Sequence, residues 1–176
     1  MPVHVGLDDL MAYTEWEREQ WYAWFQKNGA GALTIGVGPH GDGRFQTVGE
    51  LVRHIFSAET RYLDRLSGRP LTDTASTPPD NVEALFNLGR QSRQGLRAFH
   101  AGFPAQSWDV PRELTIGTHT VTASPRKIVL HALVHEMKHW AQVATLLRLQ
   151  GLTGEFHDVL FSPILSGAGP GQEGVV

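Results

Sequence analysis

Apolar residues recur at three- and four-residue intervals in four long segments of the chain. Polar residues occupy most positions between them, so each segment has one apolar side when it is wound at 3.6 residues per turn. Glu17 is an exception, because it falls on the apolar side of the first segment. The pattern predicts four amphipathic helices that pack around a shared core. They cover residues 7–28, 48–66, 82–103 and 125–150.

Residues that cap helices stand before three of these segments. Thr47 precedes the second segment, and Glu50 three positions later completes the pattern of a capping box. Asp80 or Asn81 can cap the third helix, and Ser124–Pro125 gives the fourth a cap and a first-turn proline. Local chemistry therefore supports the helix starts that the periodicity predicts.

The period changes to two before the fourth helix. Residues 112–116 and 119–123 are rich in threonine, valine and isoleucine, and they flank Gly117–Thr118, which suits a type II′ turn. We predict an all-α fold: an antiparallel or mixed four-helix bundle with a small β-hairpin before the last long helix. The linker between helices two and three allows a crossover. One domain covers residues 1–176, and we expect residues 166–176 to form a flexible tail.

The composition is that of an ordinary globular protein. Of 176 residues, 41% are hydrophobic and 19% are charged; the formal net charge is -3, and there is no cysteine. Disulfides and thiolate metal sites are therefore excluded, and a chain without excess basic charge is a poor candidate for binding nucleic acid. The N-terminus lacks the pattern of a signal peptide, and no apolar run is long enough to cross a bilayer. We expect a cytoplasmic protein with no membrane or nucleic-acid partner.

Three histidines lie on one line of the fourth helix, on the side that otherwise packs inward. His135 and His139 are one turn apart, and His131 precedes them by another turn. Buried imidazoles need partners, since an unsatisfied polar group costs about 1–3 kcal/mol. Neutral imidazole suits zinc, nickel, copper and iron(II), so one ion could satisfy both rings of the pair. The alternative is a set of hydrogen-bonded core histidines or a wet helix edge; we favour the metal.

A tight metal site needs a third ligand. His54 is the best candidate, because it lies at the border of the apolar side of the second helix and can point across the bundle. The remaining histidines fall near loops, helix ends or turns, where we expect them to be solvated: His4, His40, His100, His119 and His157. The predicted metal ligands are His54, His135 and His139.

Residues 135–139 also read H-E-x-x-H, the zinc-binding helix of metallopeptidases. Such peptidases take their third ligand downstream, either a histidine that follows a glycine or a glutamate on a later helix. The sequence after His139 lacks that glycine and histidine, and Glu155 is the only later glutamate before the tail that could serve. A peptidase is the weakest alternative.

A glycine motif, Gly36–Gly41, matches the G-x-G-x-x-G fingerprint of dinucleotide-binding proteins. That fingerprint also requires a strand before it and a helix that opens within it, and neither is indicated here. We interpret the segment as a flexible connector and expect no nucleotide cofactor.

Two segments carry the pattern of a known family. Residues 47–55 place a histidine in the second helix, and residues 131–142 have the spacing H-x₃-H-x₃-H-x-x-Q. Residues 146–151 and 158–160 are similar to the pattern that closes the family's sequences. Together these segments resemble the DinB/YfiT-like superfamily, whose members are thought to be metalloenzymes.

The resemblance implies a four-helix bundle in which three histidines hold a metal, one from helix two and two from helix four. Here they correspond to His54, His135 and His139. His131 matches a histidine that is often present in the family, and it is implied to support the site rather than bind the ion. Glu136 departs from the commoner residue at its position, which leaves its role open. The resemblance also implies a homodimer. Members of the family include thiol-dependent transferases and isomerases as well as suspected hydrolases.

Three histidine ligands leave a coordination position for water or substrate, so the sequence favours a metal-dependent enzyme. We expect the enzyme either to hydrolyse a small-molecule substrate or to transfer a low-molecular-weight thiol, which would then be a second cofactor beside the metal. The metal is expected to be zinc or nickel. No residue is assigned as catalytic; Glu17, Glu50 and Glu136 are candidates for moving protons or supporting the ligands. The alternatives are a non-catalytic, metal-stabilised stress-response or binding bundle, and the peptidase.

Overall fold

The computed structural model describes residues 4–38, 43–154 and 158–165. These residues form four long α-helices and a two-stranded antiparallel hairpin. The predicted all-α bundle, with its hairpin before the last long helix, is confirmed. The elements are α1 (Leu7–Asn28), α2 (Val48–Leu66), α3 (Val82–Gly102), β1 (Arg112–Ile116), β2 (His119–Ala123) and α4 (Pro125–Leu149).

Side-chain caps begin three of the helices, as predicted. The side chains of Thr47, Asn81 and Ser124 each accept a hydrogen bond from the backbone N–H three residues later. The reciprocal half of the capping box differs from the prediction, because the Glu50 carboxylate accepts from the N–H of Gln46 at 2.7 Å. The backbone before α2 is extended, which brings this earlier N–H to the first turn.

Two apolar clusters give the direction of each helix. The first includes Trp21, Phe56, Phe86 and Trp140, and the second includes Met11, Leu66, Leu96 and Leu133. Along the chain, α1 and α4 run from the second cluster to the first, whereas α2 and α3 run the opposite way. Because α2 and α3 are parallel, the linker between them is a crossover connection and the bundle is of the mixed type.

The first cluster is organised around Trp140 of α4. Its ring stacks on Trp21 at a centroid distance of 5.3 Å and on Phe86 at 6.2 Å, while Phe56 meets it edge-on at 5.9 Å. Aromatic pairs in these arrangements add about 0.5–1.5 kcal/mol beyond their buried area. These contacts anchor the turn of α4 that carries His139.

A buried ion cluster lies between the two apolar clusters and takes one side chain from each helix. Its members are Arg18 of α1, Glu59 of α2, Arg93 of α3 and Glu136 of α4, none of them more than 6% exposed. Arg18 binds Glu136 at 2.6 and 2.8 Å and Glu59 at 3.0 Å. Arg93 binds Glu59 at 2.8 Å and Glu136 at 2.9 Å. Two positive and two negative charges therefore compensate one another away from water.

The ion cluster is charged at neutral pH. Burial alone would raise the pKa of Glu59, but the charges of Arg18 and Arg93 outweigh burial and lower it to about 2. The remaining guanidinium N–H groups donate to main-chain carbonyls: Arg18 to Gly89 at 2.7 Å and Arg93 to Met11 at 2.8 Å. The cluster thus joins the backbones of α1 and α3 as well as the four side chains.

The hairpin packs against the end of α2. Leu114 of β1 and Ala123 of β2 are buried in the second apolar cluster, and Arg65 of α2 donates to the carbonyl of Thr115 at 2.8 Å. Gly117 has a φ of 60°, as the predicted two-residue turn requires. The hairpin therefore stands beside the exposed edge of α2.

Several predictions concern residues outside those that the structure describes. They include residues 39–42 of the glycine-rich connector with His40, the residues Glu155 and His157, and the whole tail, residues 166–176. In the ranges that the structure describes, no helix is long and apolar enough to span a membrane.

Gly49→Ala should destabilise the protein, because α2 packs closely on the linker to α3 at this residue. A Cβ added to Gly49 would lie 1.8 Å from the carbonyl oxygen of Pro79. We expect the free energy of unfolding, measured by urea titration, to fall by about 1–3 kcal/mol or more. Gly102→Ala is the helical control, since its Cβ would meet nothing within 4 Å. Equal stability of the two variants would contradict this packing.

Candidate metal centre

Three imidazoles from two helices converge at one point in the bundle. His54 comes from α2, and His135 and His139 come from successive turns of α4. His135 Nε2 lies 3.2 Å from His54 Nε2 and 3.0 Å from His139 Nε2. The structure thus brings together all three residues predicted to bind a metal, in a group that could hold an ion. Binding itself stays a prediction.

The spacing of the three nitrogens fits a divalent ion. Zinc binds histidine nitrogen at about 2.0–2.1 Å in tetrahedral geometry, which places neighbouring ligand nitrogens about 3.3 Å apart. Two of the three observed separations, 3.0 and 3.2 Å, are close to this value. All three ligand atoms lie within 4.8 Å of one another, as a shared ion requires.

Hydrogen bonding alone does not account for this arrangement. The side-chain oxygen of Gln142 lies 2.5 Å from His139 Nδ1 and accepts its proton, so His139 Nε2 carries a lone pair in the neutral ring. His135 Nε2 faces two other imidazole nitrogens, yet it has either one proton or one lone pair to offer. It can complete one of the two contacts. A cation satisfies all three nitrogens at once.

The site is shielded on one side and open on the other. His139 is buried, whereas His54 and His135 are half-buried. The ring of Phe45 packs 4.6 Å from the ring of His54. Burial, followed by the charges of His139 and His54, lowers the pKa of His135 to about 3. The ring is therefore neutral at physiological pH, which is the form that binds metals.

His131 does not join the three nitrogens. It is exposed, and its Nε2 lies 3.0 Å from the hydroxyl of Tyr62 on α2. Its ring centroid is 5.8 Å from that of His135. Its implied role of supporting the site stays a prediction, and the Tyr62 hydroxyl links this part of α4 to α2.

The three glutamates considered for proton handling occupy different environments. Both carboxylate oxygens of Glu136 face the ion cluster, and one of them also accepts from Trp140 Nε1 at 3.1 Å. At the start of α2, the Glu50 carboxylate accepts a hydrogen bond from the N–H of Gln46, and the Glu50 N–H donates to the Thr47 hydroxyl. Glu17 is 4% exposed, so the polar residue on the apolar side of α1 is buried. Its charge, after burial, raises the pKa of Tyr13.

Sequence reasoning missed two contributors to this region. Phe45 stands in the segment before α2, where no periodic pattern marks it as a residue that covers a site. Tyr62 could be placed on the inner side of α2 by its spacing, but the partner of its hydroxyl depends on how α4 packs. Gln142 belongs to the H-x₃-H-x₃-H-x-x-Q spacing, but its contact with His139 was not predicted.

The comparison with known families agrees with this geometry. The sequence model of the DinB family matches residues 1–169. The chain belongs to the DinB family. A search of curated proteins finds no match.

In this DinB-family chain, Glu136→Gln should weaken the fold and leave the metal centre intact. The substitution removes a buried charge that pairs with Arg18 and Arg93, and breaking such a network costs about 3–5 kcal/mol. We expect that loss in the free energy of unfolding, with the metal stoichiometry of the folded protein unchanged. Glu19→Gln, an exposed helical glutamate, is the control and should change stability by less than about 0.5 kcal/mol. Loss of metal from folded Glu136→Gln protein would contradict the assignment of Glu136 to the ion cluster alone.

His54→Ala should abolish tight metal binding. Loss of a residue that merely supports a ligand weakens affinity about 10–100-fold, so removal of a ligand should cost at least about 100-fold. Elemental analysis by mass spectrometry after desalting, with zinc or nickel supplied, measures the retained metal. His131→Ala is the matched control and should keep most of it. Full retention by His54→Ala would refute the three-histidine assignment.

Proposed function

We propose that this protein is a metal-dependent enzyme that acts on a small molecule. His54, His135 and His139 would hold a divalent ion, zinc or nickel, and leave a coordination position to the substrate or to water. The reaction would be hydrolysis or transfer of a low-molecular-weight thiol. Family membership and the three convergent nitrogens support this proposal. A homodimer, and the lack of nucleic-acid and membrane partners, stay predictions.

The observation that carries the proposal is a cavity that opens onto the candidate centre. It has a volume of about 870 Å³ and is lined by His54 and His135, together with residues of α2 and the hairpin. Pockets for small molecules commonly measure about 300–1,000 Å³. A purely structural metal site is normally closed by four protein ligands, so an adjoining cavity favours an enzyme over a metal-stabilised bundle.

The side chains around the centre would prepare it for reaction. A bound ion would act as a Lewis acid that lowers the pKa of a water or a thiol. His139 is oriented by Gln142, which fixes the tautomer that presents Nε2. The ring of Phe45 would cover one side of the His54 ring.

The geometry does not favour the peptidase. In that mechanism the glutamate of H-E-x-x-H handles a proton at the metal. Here the Glu136 carboxylate is held by Arg18, Arg93 and Trp140 and is 1% exposed. In this proposal the H-E-x-x-H motif supplies two metal ligands, His135 and His139, and one residue of the buried ion cluster, Glu136.

The proposal is tested by turnover on metal-free and metal-loaded protein. We expect zinc or nickel to restore activity in a panel of 4-nitrophenyl esters and of thiol conjugations with glutathione and cysteine derivatives. His54→Ala should lose at least about 99% of that activity, since one ligand is worth at least about 100-fold, and His131→Ala should lose much less. A metal that raises the melting temperature without any turnover across the panel would support the non-catalytic bundle. Casein cleavage that Glu136→Gln abolishes would support the peptidase.

A further inference from the structure

Four arginines line the cavity that adjoins the three histidines. Arg61, Arg65 and Arg69 follow one another along the end of α2 and the linker after it, and Arg44 approaches from the segment before α2. We call Arg44, Arg61, Arg65 and Arg69 the arginine groove. His54 and His135 line the same cavity, so the groove and the candidate centre share one space.

The positive charge of this groove is only partly balanced. Arg69 pairs with Asp64 at 3.0 Å. Arg65 donates to two main-chain carbonyls, those of Thr115 and Arg61. In the described part of the chain, Arg61 has no ion pair and no side-chain hydrogen bond. Glu113 is the one acidic side chain among the residues that line this cavity in the described ranges.

Arg61 and Arg65 repel each other where they lie. Burial lowers the pKa of Arg61, and the charge of Arg65 lowers it further. Arg44 lines the same cavity as these two arginines. A guanidinium that is half-buried and close to like charges gains most from an anion placed beside it.

We propose that the arginine groove binds the anionic group of the substrate, a carboxylate or a phosphate, beside the metal centre. The planar guanidinium fork matches both groups in size and hydrogen-bond geometry. The inference rests on the proposed function, because it names the substrate class of that same site. It places an acidic small molecule with its anion at Arg61 and its reactive group toward His54 and His135.

Structural roles account for some of these arginines but not for Arg61. Arg65 ties the hairpin to α2 through Thr115, and Arg69 is held by Asp64. A second, smaller cavity of about 320 Å³ continues from the groove, and Arg53, Glu50 and Asp73 are among the residues that line it. Arg44, His54 and Arg61 line both cavities, and Glu50 and Asp73 partly balance the positive charge of the smaller one. A groove of this size, on a chain of net charge -3, fits a small anion better than a nucleic-acid backbone.

Anion binding to the full chain tests the inference without any turnover assay. Isothermal titration would use succinate and methyl phosphate as probes and uncharged succinamide as the control ligand, with metal-free and zinc-loaded protein at low ionic strength. Arg61→Gln should weaken binding of both anions by about tenfold or more, because a hydrogen bond to a charged group is lost. Arg61→Lys keeps the positive charge but loses the planar guanidinium fork, so its affinity for both anions should lie between those of the wild type and Arg61→Gln. Arg148→Gln, an exposed arginine at the end of α4, is the matched control and should bind as the wild type does.

The outcomes separate this inference from the proposed function. Binding to metal-free protein that Arg61→Gln weakens and Arg148→Gln does not would support the groove, even if no metal-dependent turnover were found. Equal binding by both variants, at an unchanged melting temperature, would overturn it. The inference would also be overturned if anion binding required zinc, was lost in His54→Ala and was unchanged in Arg61→Gln. The anion would then be a metal ligand only. A short single-stranded oligonucleotide that displaces succinate at lower concentration than methyl phosphate does would also overturn the small-molecule assignment.

Discussion

Four charges that meet in the middle of the bundle constrain every helix in it. Arg18, Glu59, Arg93 and Glu136 come from four different helices, and each one pairs with two of the others. Rotation or sliding of any helix would leave a charge buried and unpaired, at a cost of several kcal/mol. Apolar packing alone would tolerate more than one arrangement of four amphipathic helices. The ion cluster selects one of them.

The orientation of Glu136 is also related to the direction in which the candidate metal ligands of α4 point. Successive residues of a helix are separated by 100°, so His135 and His139 both lie on the same side of Glu136, about 100° and 60° away. With Glu136 and Trp140 directed into the core, both imidazoles face the edge where α2 brings His54. This arrangement explains why H-E-x-x-H appears in a site unlike that of the peptidases. Its glutamate joins the ion cluster, while His135 lines the cavity and His139 is buried beside it.

Much of the fold could be predicted because its signals are local. Periodicity and the caps Thr47, Asn81 and Ser124 give the helix limits, and the glycine at position 117 gives the hairpin turn. The histidine pair could be found because two residues four apart share one side of a helix. His54 could be proposed from its place on α2, with support from the family resemblance.

The ion cluster could not be predicted, because its partners are far apart in the sequence and look like ordinary charged residues of amphipathic helices. Glu17 attracted attention as the residue out of pattern, yet its neighbour Arg18 is the one that joins the cluster. The arginine groove could not be predicted for the same reason. Arg61 and Arg65 become part of a cavity only when the hairpin packs beside α2. Contacts of this kind depend on tertiary packing rather than on local pattern.

The metal centre can be located by anomalous X-ray diffraction from crystals of the zinc- or nickel-loaded protein, recorded at the absorption edge of the metal. We expect one strong peak at about 2.0–2.1 Å from Nε2 of each of His54, His135 and His139, with no contact to Glu136. A peak elsewhere, or one bound by fewer than these three imidazoles, would contradict it.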